Sequence, residues 1–324
     1  MLRFVSIAVC VIRPGTECHS SVYVSFRALQ VSAAREVGMM ATDLHLPSHS
    51  TTEEIVAAVR WMCDAKHLHG VMVQLPLPDH VDEALVLREI DEGKDVDGLA
   101  PANTGAMMTR TSIAATSCST AARDGHHDTS DGVDMRGFRQ CTPVGCAELL
   151  RQHDVHVKGK RVVVLGTTNT AGTPLGMQMR DLGALSVTLC SVPKSLGNDD
   201  DDTLERVKAI SRDADILAVM IGHAELVTDE WVKPGAAVLD VGINTLDVPD
   251  PTTGRPFTVV GDVDFHSVSR VASFVSPVPG GAGPMTVSAL LSNVLRATQR
   301  HCAASSTSPP LSSSSLPQQS SSPS

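Results

Sequence analysis

Aromatic residues are almost missing from this chain of 324 residues: six Phe, two Trp and one Tyr make up 3% of it. A surface that stacks nucleic-acid bases needs aromatic faces in a basic groove. The charge balance has the opposite sign, with Lys+Arg 26 against Asp+Glu 36 and a formal net charge of −10. Nucleic acid is therefore excluded as the primary partner. No apolar run is long enough to span a bilayer, so no membrane partner is expected. The eight cysteines contain no CxxC pair, which gives no support to a metal site. Their dispersal fits a reducing compartment, with the cytoplasm as default and a mitochondrial address left open. Hydrophobic residues make up 42% of the chain and charged residues 19%, enough to build a core. At about 150 residues per domain the length suggests two domains or one large one. A small-molecule site is the reading these absences leave.

Two stretches have little to bury. From 111 to about 134 the sequence TSIAATSCSTAARDGHHDTSDGVD is small, polar and aperiodic, and reads as a surface insertion. From about 303 the tail is a Ser/Pro low-complexity segment, expected to be disordered. The opening MLRFVSIAVCVI must be weighed as a signal peptide. The run Ser6–Ile12 ahead of Pro14-Gly15 reads better as a buried strand ending in a turn.

The rest alternates strands and helices. Helices are predicted at Val22–Glu36 and Thr52–Asp64, the second opened by Ser50/Thr51 ahead of Glu53 and Glu54. A short strand, Gly70–Gln74, stops at Leu75-Pro76-Leu77-Pro78. RVVVL (161–165), SVTLC (186–190), ILAVM (216–220), AVLDV (237–241) and TVV (258–260) read as buried parallel strands separated by helices. The pattern predicts an α/β protein with a doubly wound sheet and ligands at the carboxyl ends of its strands.

Several loops have the residue types of a site. After RVVVL the loop Gly166-Thr167-Thr168-Asn169-Thr170-Ala171-Gly172-Thr173-Pro174 leads into a helix, an arrangement that presents backbone N–H groups to an anion. Its spacing is not GxGxxG, so cofactor loop and ordinary turn stand as equal alternatives. Tyr23 and Arg27 are four apart on a predicted helix. Gln74 stands at a strand end held by prolines, and Lys94-Asp95-Val96-Asp97-Gly98 gathers two carboxylates and an ammonium in a loop. Ser276–Thr286 (SPVPGGAGPMT) combines prolines that fix the backbone with glycines that let it approach a ligand closely.

In order along the chain, YVSFR, VQLPLP, KDVDG with Pro101 and Asn103, CTPVG, GTTNTAGTP, KPGAAVLDVGIN, GDVDF and SPVPGGAGPMT resemble the bifunctional methylenetetrahydrofolate dehydrogenase/methenyltetrahydrofolate cyclohydrolases. The resemblance implies two α/β lobes with a folate cleft between them. Residues 1–142 with 278–302 would form the folate-binding lobe, and 143–277 a Rossmann NAD(P)-binding lobe. It implies oxidation of 5,10-methylenetetrahydrofolate by NADP, hydrolysis of the methenyl product, and a homodimer. Carried over, Tyr23 stacks on the folate, the acid/base lysine is replaced by Arg27, Gln74 tunes that position, and Asp97 holds the pterin. Ser20, Val73, Leu75, Pro279, Gly280, Gly281 and Gly283 would line the substrate pocket. Gly166, Thr167, Thr168, Gly172, Ser191, Gly242 and Ile243 would face the cofactor.

The departures from the family pattern carry their own expectations. A guanidinium, with a pKa above ~12, does not exchange protons near neutrality, so Arg27 predicts weak cyclohydrolase activity with dehydrogenase activity retained. Full bifunctionality and a non-catalytic folate or nucleotide binder are the alternatives. Thr167-Thr168 and Ser191-Val192 stand where the family has Arg-Ser and His-Ser. A bidentate phosphate partner is thereby lost, leaving NAD open beside NADP. The acidic run Asp199–Asp202 reads as a solvated loop before the helix Leu204–Ile210. The family pattern also places a helical segment ahead of the first strand, where this chain begins.

Overall fold

The computed structural model describes residues 5–12, 20–109, 137–193, 201–251 and 253–306. The insertion expected at 111–134, Asp199, Asp200 and the tail from 307 lie outside the described residues. The first lobe is built on β1 (Ser6–Ile12), α1 (Ser20–Glu36), β2 (Met40–Leu46), α2 (Thr52–Asp64), β3 (Gly70–Val73), α3 (Glu83–Arg88) and α4 (Pro101–Thr109). Its sheet is parallel in the order β2-β1-β3. Ile7 and Val9 enter one core while Ala8 enters the other. A strand covered on both faces is continuously apolar, which explains the signal-like run at the start. β3 does the same, with Val71 and Val73 on one side and Met72 on the other. α2 opens with a full capping box: Glu54 N donates to Thr51 Oγ1 at 3.3 Å and Thr51 N to Glu54 Oε2 at 3.0 Å.

The second lobe follows with α5 (Cys141–Gln152), β4 (Arg161–Leu165), α6 (Gly172–Asp181), β5 (Ser186–Cys190), α7 (Asp201–Ser211), β6 (Ile216–Val219), β7 (Ala237–Asp240), β8 (Asn244–Leu246), β9 (Thr258–Val260), α8 (Phe265–Val268) and β10 (Phe274–Val275). Its five-stranded sheet is parallel, in the order β10-β7-β6-β4-β5. The RVVVL strand β4 divides its side chains between two cores, Val163 and Leu165 against Val162 and Val164.

One expected strand is corrected. Thr258–Val260 is half-buried and pairs antiparallel with β8, outside the main sheet. A short run of β-branched residues reads the same in either setting. The connection decides: among the described residues no helix lies between β8 and β9 to make the crossover that a parallel partner needs. The fifth parallel strand is the two-residue β10. The acidic run differs as well: α7 begins at Asp201, and in its first turn the Asp202 carboxylate favours the helix dipole and pairs with Arg206 at 2.7 Å.

The last helix, α9 (Ala282–Ser306), joins the lobes. Pro284 occupies its first turn, where a missing N–H costs nothing. Ala282 and Met285 pack with the second lobe, whereas Ala289, Leu290, Val294 and Ala297 pack with Val5, Ile7, Val9 and Met72 of the first. Asn293 Nδ2 donates to the carbonyls of Val96 and Arg139, both at 2.9 Å. The helix continues four residues into the segment expected to be a disordered tail, because Ala303 and Ala304 extend it. Among the described residues no helix is long and apolar enough to cross a membrane.

Candidate active site

A cavity of about 840 Å³ opens where β3, α1, α5, β7 and the segment before α9 meet. β3 ends at Val73, and Gln74 and Leu75 then turn into its wall. Gln74 Nε2 donates to the Leu75 carbonyl at 3.2 Å, while its Oε1 is buried without a partner. Leu77, two residues on, is buried in the first core and pins this turn.

The two carboxylates of KDVDG have separate work. Asp95 is fully buried and accepts from Gly98 N, Leu99 N, Ala100 N and Asn103 Nδ2 at 2.7–3.2 Å. It holds the loop together. Lys94 Nζ donates to the carbonyls of Cys63 and Ala65 at the end of α2 and faces away from this chemistry. Asp97 is the one that reaches the cavity. Burial pushes its carboxyl up to about 6, the charge of Asp95 adds to the rise, and a hydrogen bond with Cys141 opposes it. The Cys141 thiol is held well above its usual range by burial and by Asp97, so it is no nucleophile at neutral pH.

α1 presents Phe26, Ala28, Leu29, Gln30 and Ser32 to the cavity, with Phe26 and Gln30 one turn apart. Arg27 lies outside that lining. Its Nη1 is 2.6 Å from His45 Nε2 and 3.7 Å from Asp43 Oδ2, so the guanidinium is held against β2. Ser20 and Tyr23 belong to α1, and their side chains lie outside the described residues. Val73, Gln74, Leu75, Asp97, Pro279, Gly280, Gly281 and Gly283 all line the cavity. Gly280 has φ of +112°, a conformation that favours glycine, and a methyl placed on Gly283 would stand 3.6 Å from Phe26 Cε2.

The second lobe contributes Thr170, Ala171, Met220, Asp240, Gly242 and Ile243 to the same cavity. Gly166, Thr167, Thr168 and Gly172 form the adjoining loop after β4. Gly172 N donates to Thr168 Oγ1 at 3.3 Å, and a side chain on Gly172 would collide with the Gly166 carbonyl. Thr167 and Thr168 are exposed at this turn, beside the first turn of α6. The loop thus offers hydroxyls and a helix amino terminus to a pyrophosphate, which suits a dinucleotide. Gly166 N donates to Cys190 O at 2.9 Å, placing Ser191 beside the loop at the neighbouring strand end; Ser191 does not line the cavity.

Asp240 accepts from the backbone N–H of Gly242, Asp262 and Val263, at 3.0–3.1 Å. Burial pushes its carboxyl up to about 7 against those bonds, with the nearby Asp262 adding to the rise. Asp262 in turn accepts from Ile221 N, Gly222 N, His223 N and Asn244 Nδ2 at 2.6–3.1 Å. The two carboxylates thereby fold the LDVGIN and GDVDF segments into one floor, and Gly242 and Gly261 leave no space for a side chain beside them. Gln140, Thr142 and Leu290 line the cavity and were not among the residues expected from sequence. Gln140 precedes the CTPVG motif, and that adjacency was the available signal. Among the described residues no group of three or more His, Cys, Asp or Glu is placed to hold a metal ion.

Comparison with known proteins follows this division of the chain. Residues 4–97 match the model of the tetrahydrofolate dehydrogenase/cyclohydrolase catalytic domain, and residues 140–302 match the NAD(P)-binding domain of the same family. The bifunctional protein FolD of Prosthecochloris aestuarii is 38% identical over 290 residues, covering 90% of this chain and 87% of the relative. The chloroplastic bifunctional protein FolD 4 of Arabidopsis thaliana is 35% identical, covering 90% and 70%. Among solved structures, the Trypanosoma brucei methylenetetrahydrofolate dehydrogenase-cyclohydrolase, complexed with NADP and an inhibitor, superposes with a TM-score of 0.74 at 31% identity, covering 92% of this chain and 87% of that one.

Proposed function

Because the chain belongs to the tetrahydrofolate dehydrogenase/cyclohydrolase family, we propose that it oxidises 5,10-methylenetetrahydrofolate to the methenyl form and hydrolyses that product poorly. The observation that carries this reading is a single cavity shared by Gln74, Asp97 and the Pro279–Gly281 backbone of one lobe and by Gly242 and Ile243 of the other. NADP is the proposed cofactor, in line with the trypanosomal relative, and NAD is the alternative because the described loop brings hydroxyls and no cation to a 2′-phosphate. When bound, the dinucleotide supplies the hydride acceptor. A folate nitrogen lone pair expels the hydride, so the chain's contribution is to align the methylene carbon and exclude water.

Hydrolysis asks for more, because water attack and ring opening require a group that moves protons near neutrality. Among the described residues lining the cavity there is neither lysine nor histidine. Arg27, with its guanidinium held at β2, offers no substitute. The direct test follows absorbance of the full chain with methylenetetrahydrofolate and NADP or NAD. Methenyl product that accumulates and decays at the buffer rate is the expected result, and enzyme-accelerated decay would instead identify a bifunctional enzyme. Absence of methenyl product with either cofactor would favour a non-catalytic binder.

A homodimer in the cytoplasm completes the proposal. β5 pairs with β4 alone among the described strands, and Leu185 and Leu189 on this edge are 72% and 41% exposed. An apolar sheet edge of this kind is covered when a second copy docks against it. Sedimentation should give a dimer, and Leu185→Glu with Leu189→Lys should shift it to monomer.

A further inference from the structure

We propose that Gln30 and Gln140 are substrate-binding residues, which together with Gln74 form a set of neutral carboxamides receiving the N–H-bearing edge of a flat, reduced aminopyrimidine-type heterocycle. The inference deepens the folate reading and rests on it. Gln30 and Gln140 are 5% and 4% exposed, and both line the cavity. The Oε1 atoms of Gln30, Gln74 and Gln140 are each buried without a hydrogen-bond partner. Among the described residues the other buried side-chain oxygen in that condition is Asp43 Oδ1, which lies beside Arg27 at β2.

A buried acceptor left unpaired costs its lost hydration, so folded chains rarely tolerate one without a use. Here three converge on one cavity from three separate segments: α1, the end of β3 and the start of α5. Gln140 adds an independent sign. It is the N-cap residue of α5 and makes no side-chain capping bond. Capping positions favour short side chains that satisfy the helix's own N–H groups. This longer amide is directed to the cavity wall instead.

The chemistry of the set selects its ligand. A carboxamide carries both an acceptor and a donor, so the three accept ring N–H and amino groups and can also answer a ring carbonyl. None of them titrates, which separates their contribution from that of Asp97. Phe26, one turn ahead of Gln30 on the same wall, adds an apolar ring face for the heterocycle. The arrangement therefore fits a planar amide-like heterocycle better than a phosphate or an aliphatic acid, either of which would call for cations on this wall.

Calorimetric titration of tetrahydrofolate and, separately, NADP into the full chain tests this with Gln30→Leu and Gln140→Leu. Each variant should weaken tetrahydrofolate binding by about tenfold or more and leave NADP affinity unchanged. The unliganded melting temperature should stay level or rise, since the substitution removes an unpaired buried oxygen. Unchanged tetrahydrofolate affinity in both variants, with the wild type binding, would overturn the inference and leave the folate reading intact. A lower melting temperature with parallel loss of both ligands would overturn it too, by making the glutamines structural. A wild-type chain that fails to bind tetrahydrofolate would remove the folate reading and this inference with it.

Discussion

Gln30→Lys should accelerate hydrolysis of 5,10-methenyltetrahydrofolate by about 100-fold, whereas Arg27→Lys should leave the rate where it was. The difference comes from the rotation of α1. Phe26, Leu29 and Gln30 face the cavity, and Arg27 sits a fraction of a turn away against Asp43 and His45. An amine at position 30 would enter a wall made of neutral carboxamides and apolar side chains, where desolvation lowers its pKa toward neutrality. A group so tuned contributes roughly 10²–10⁴ in proton transfer, and the estimate of about 100-fold takes the lower end. An amine at position 27 would merely exchange one cation held against β2 for another, outside the cavity lining. The measurement is decay of methenyl absorbance above the buffer rate. The gained activity should rise with pH as the amine loses its proton. A gain from Arg27→Lys and none from Gln30→Lys would place the proton-transfer position on the other side of the helix.

Asp97→Asn should weaken tetrahydrofolate binding by about 100-fold at pH 8, the size expected when a charged acceptor for substrate N–H groups is lost. The wild-type pH dependence gives a second readout. The Asp97 carboxyl of the free protein is pushed up to about 6, and N–H donors favour its ionised form. Affinity should therefore rise about tenfold per pH unit up to about pH 6 and then level off. In Asp97→Asn it should be flat over that range. Stability runs the other way. A carboxyl near 3.8 in the unfolded chain and near 6 in the folded one keeps its proton longer in the native state. This residue's contribution is thus fully present below about pH 4 and is lost as pH rises toward 6. Thermal melts of wild type and Asp97→Asn across that interval should converge at the acid end. Wild-type affinity that is independent of pH between 5 and 7 would remove Asp97 from the binding role.

Much of this architecture can be read along the chain because it is local. RVVVL, SVTLC and AVLDV announce strands, Thr51 and Glu54 announce a helix start, and the Pro/Gly-rich segments mark where backbone approaches a ligand. What escapes a linear reading is set by packing between distant segments. Tyr23 and Arg27 have the motif spacing. Yet the face that α1 turns inward depends on how it lies against β2 and α9, and this brings Phe26 and Gln30 to the wall. Gln140 stands next to the CTPVG motif, yet a glutamine before a helix is ordinary until its side chain is seen to leave the helix uncapped. Thr258–Val260 shows the same limit: its composition declares a strand, and only the hairpin return declares its partner.

The path of α9 has a consequence for how the chain is made. Ala289, Leu290, Val294 and Ala297 supply part of the core that receives Ile7 and Val9, and Asn293 bonds the carbonyl of Val96, 197 residues earlier. During synthesis the first lobe leaves the ribosome with that side of its sheet incompletely covered and stays so until α9 is made. At roughly 5–20 residues per second, the intervening ~200 residues amount to about 10–40 seconds of exposure. The second lobe, with its cores closed largely by its own helices, can mature within that interval. Folding on the ribosome would then run against sequence order, the later lobe first and the earlier one last.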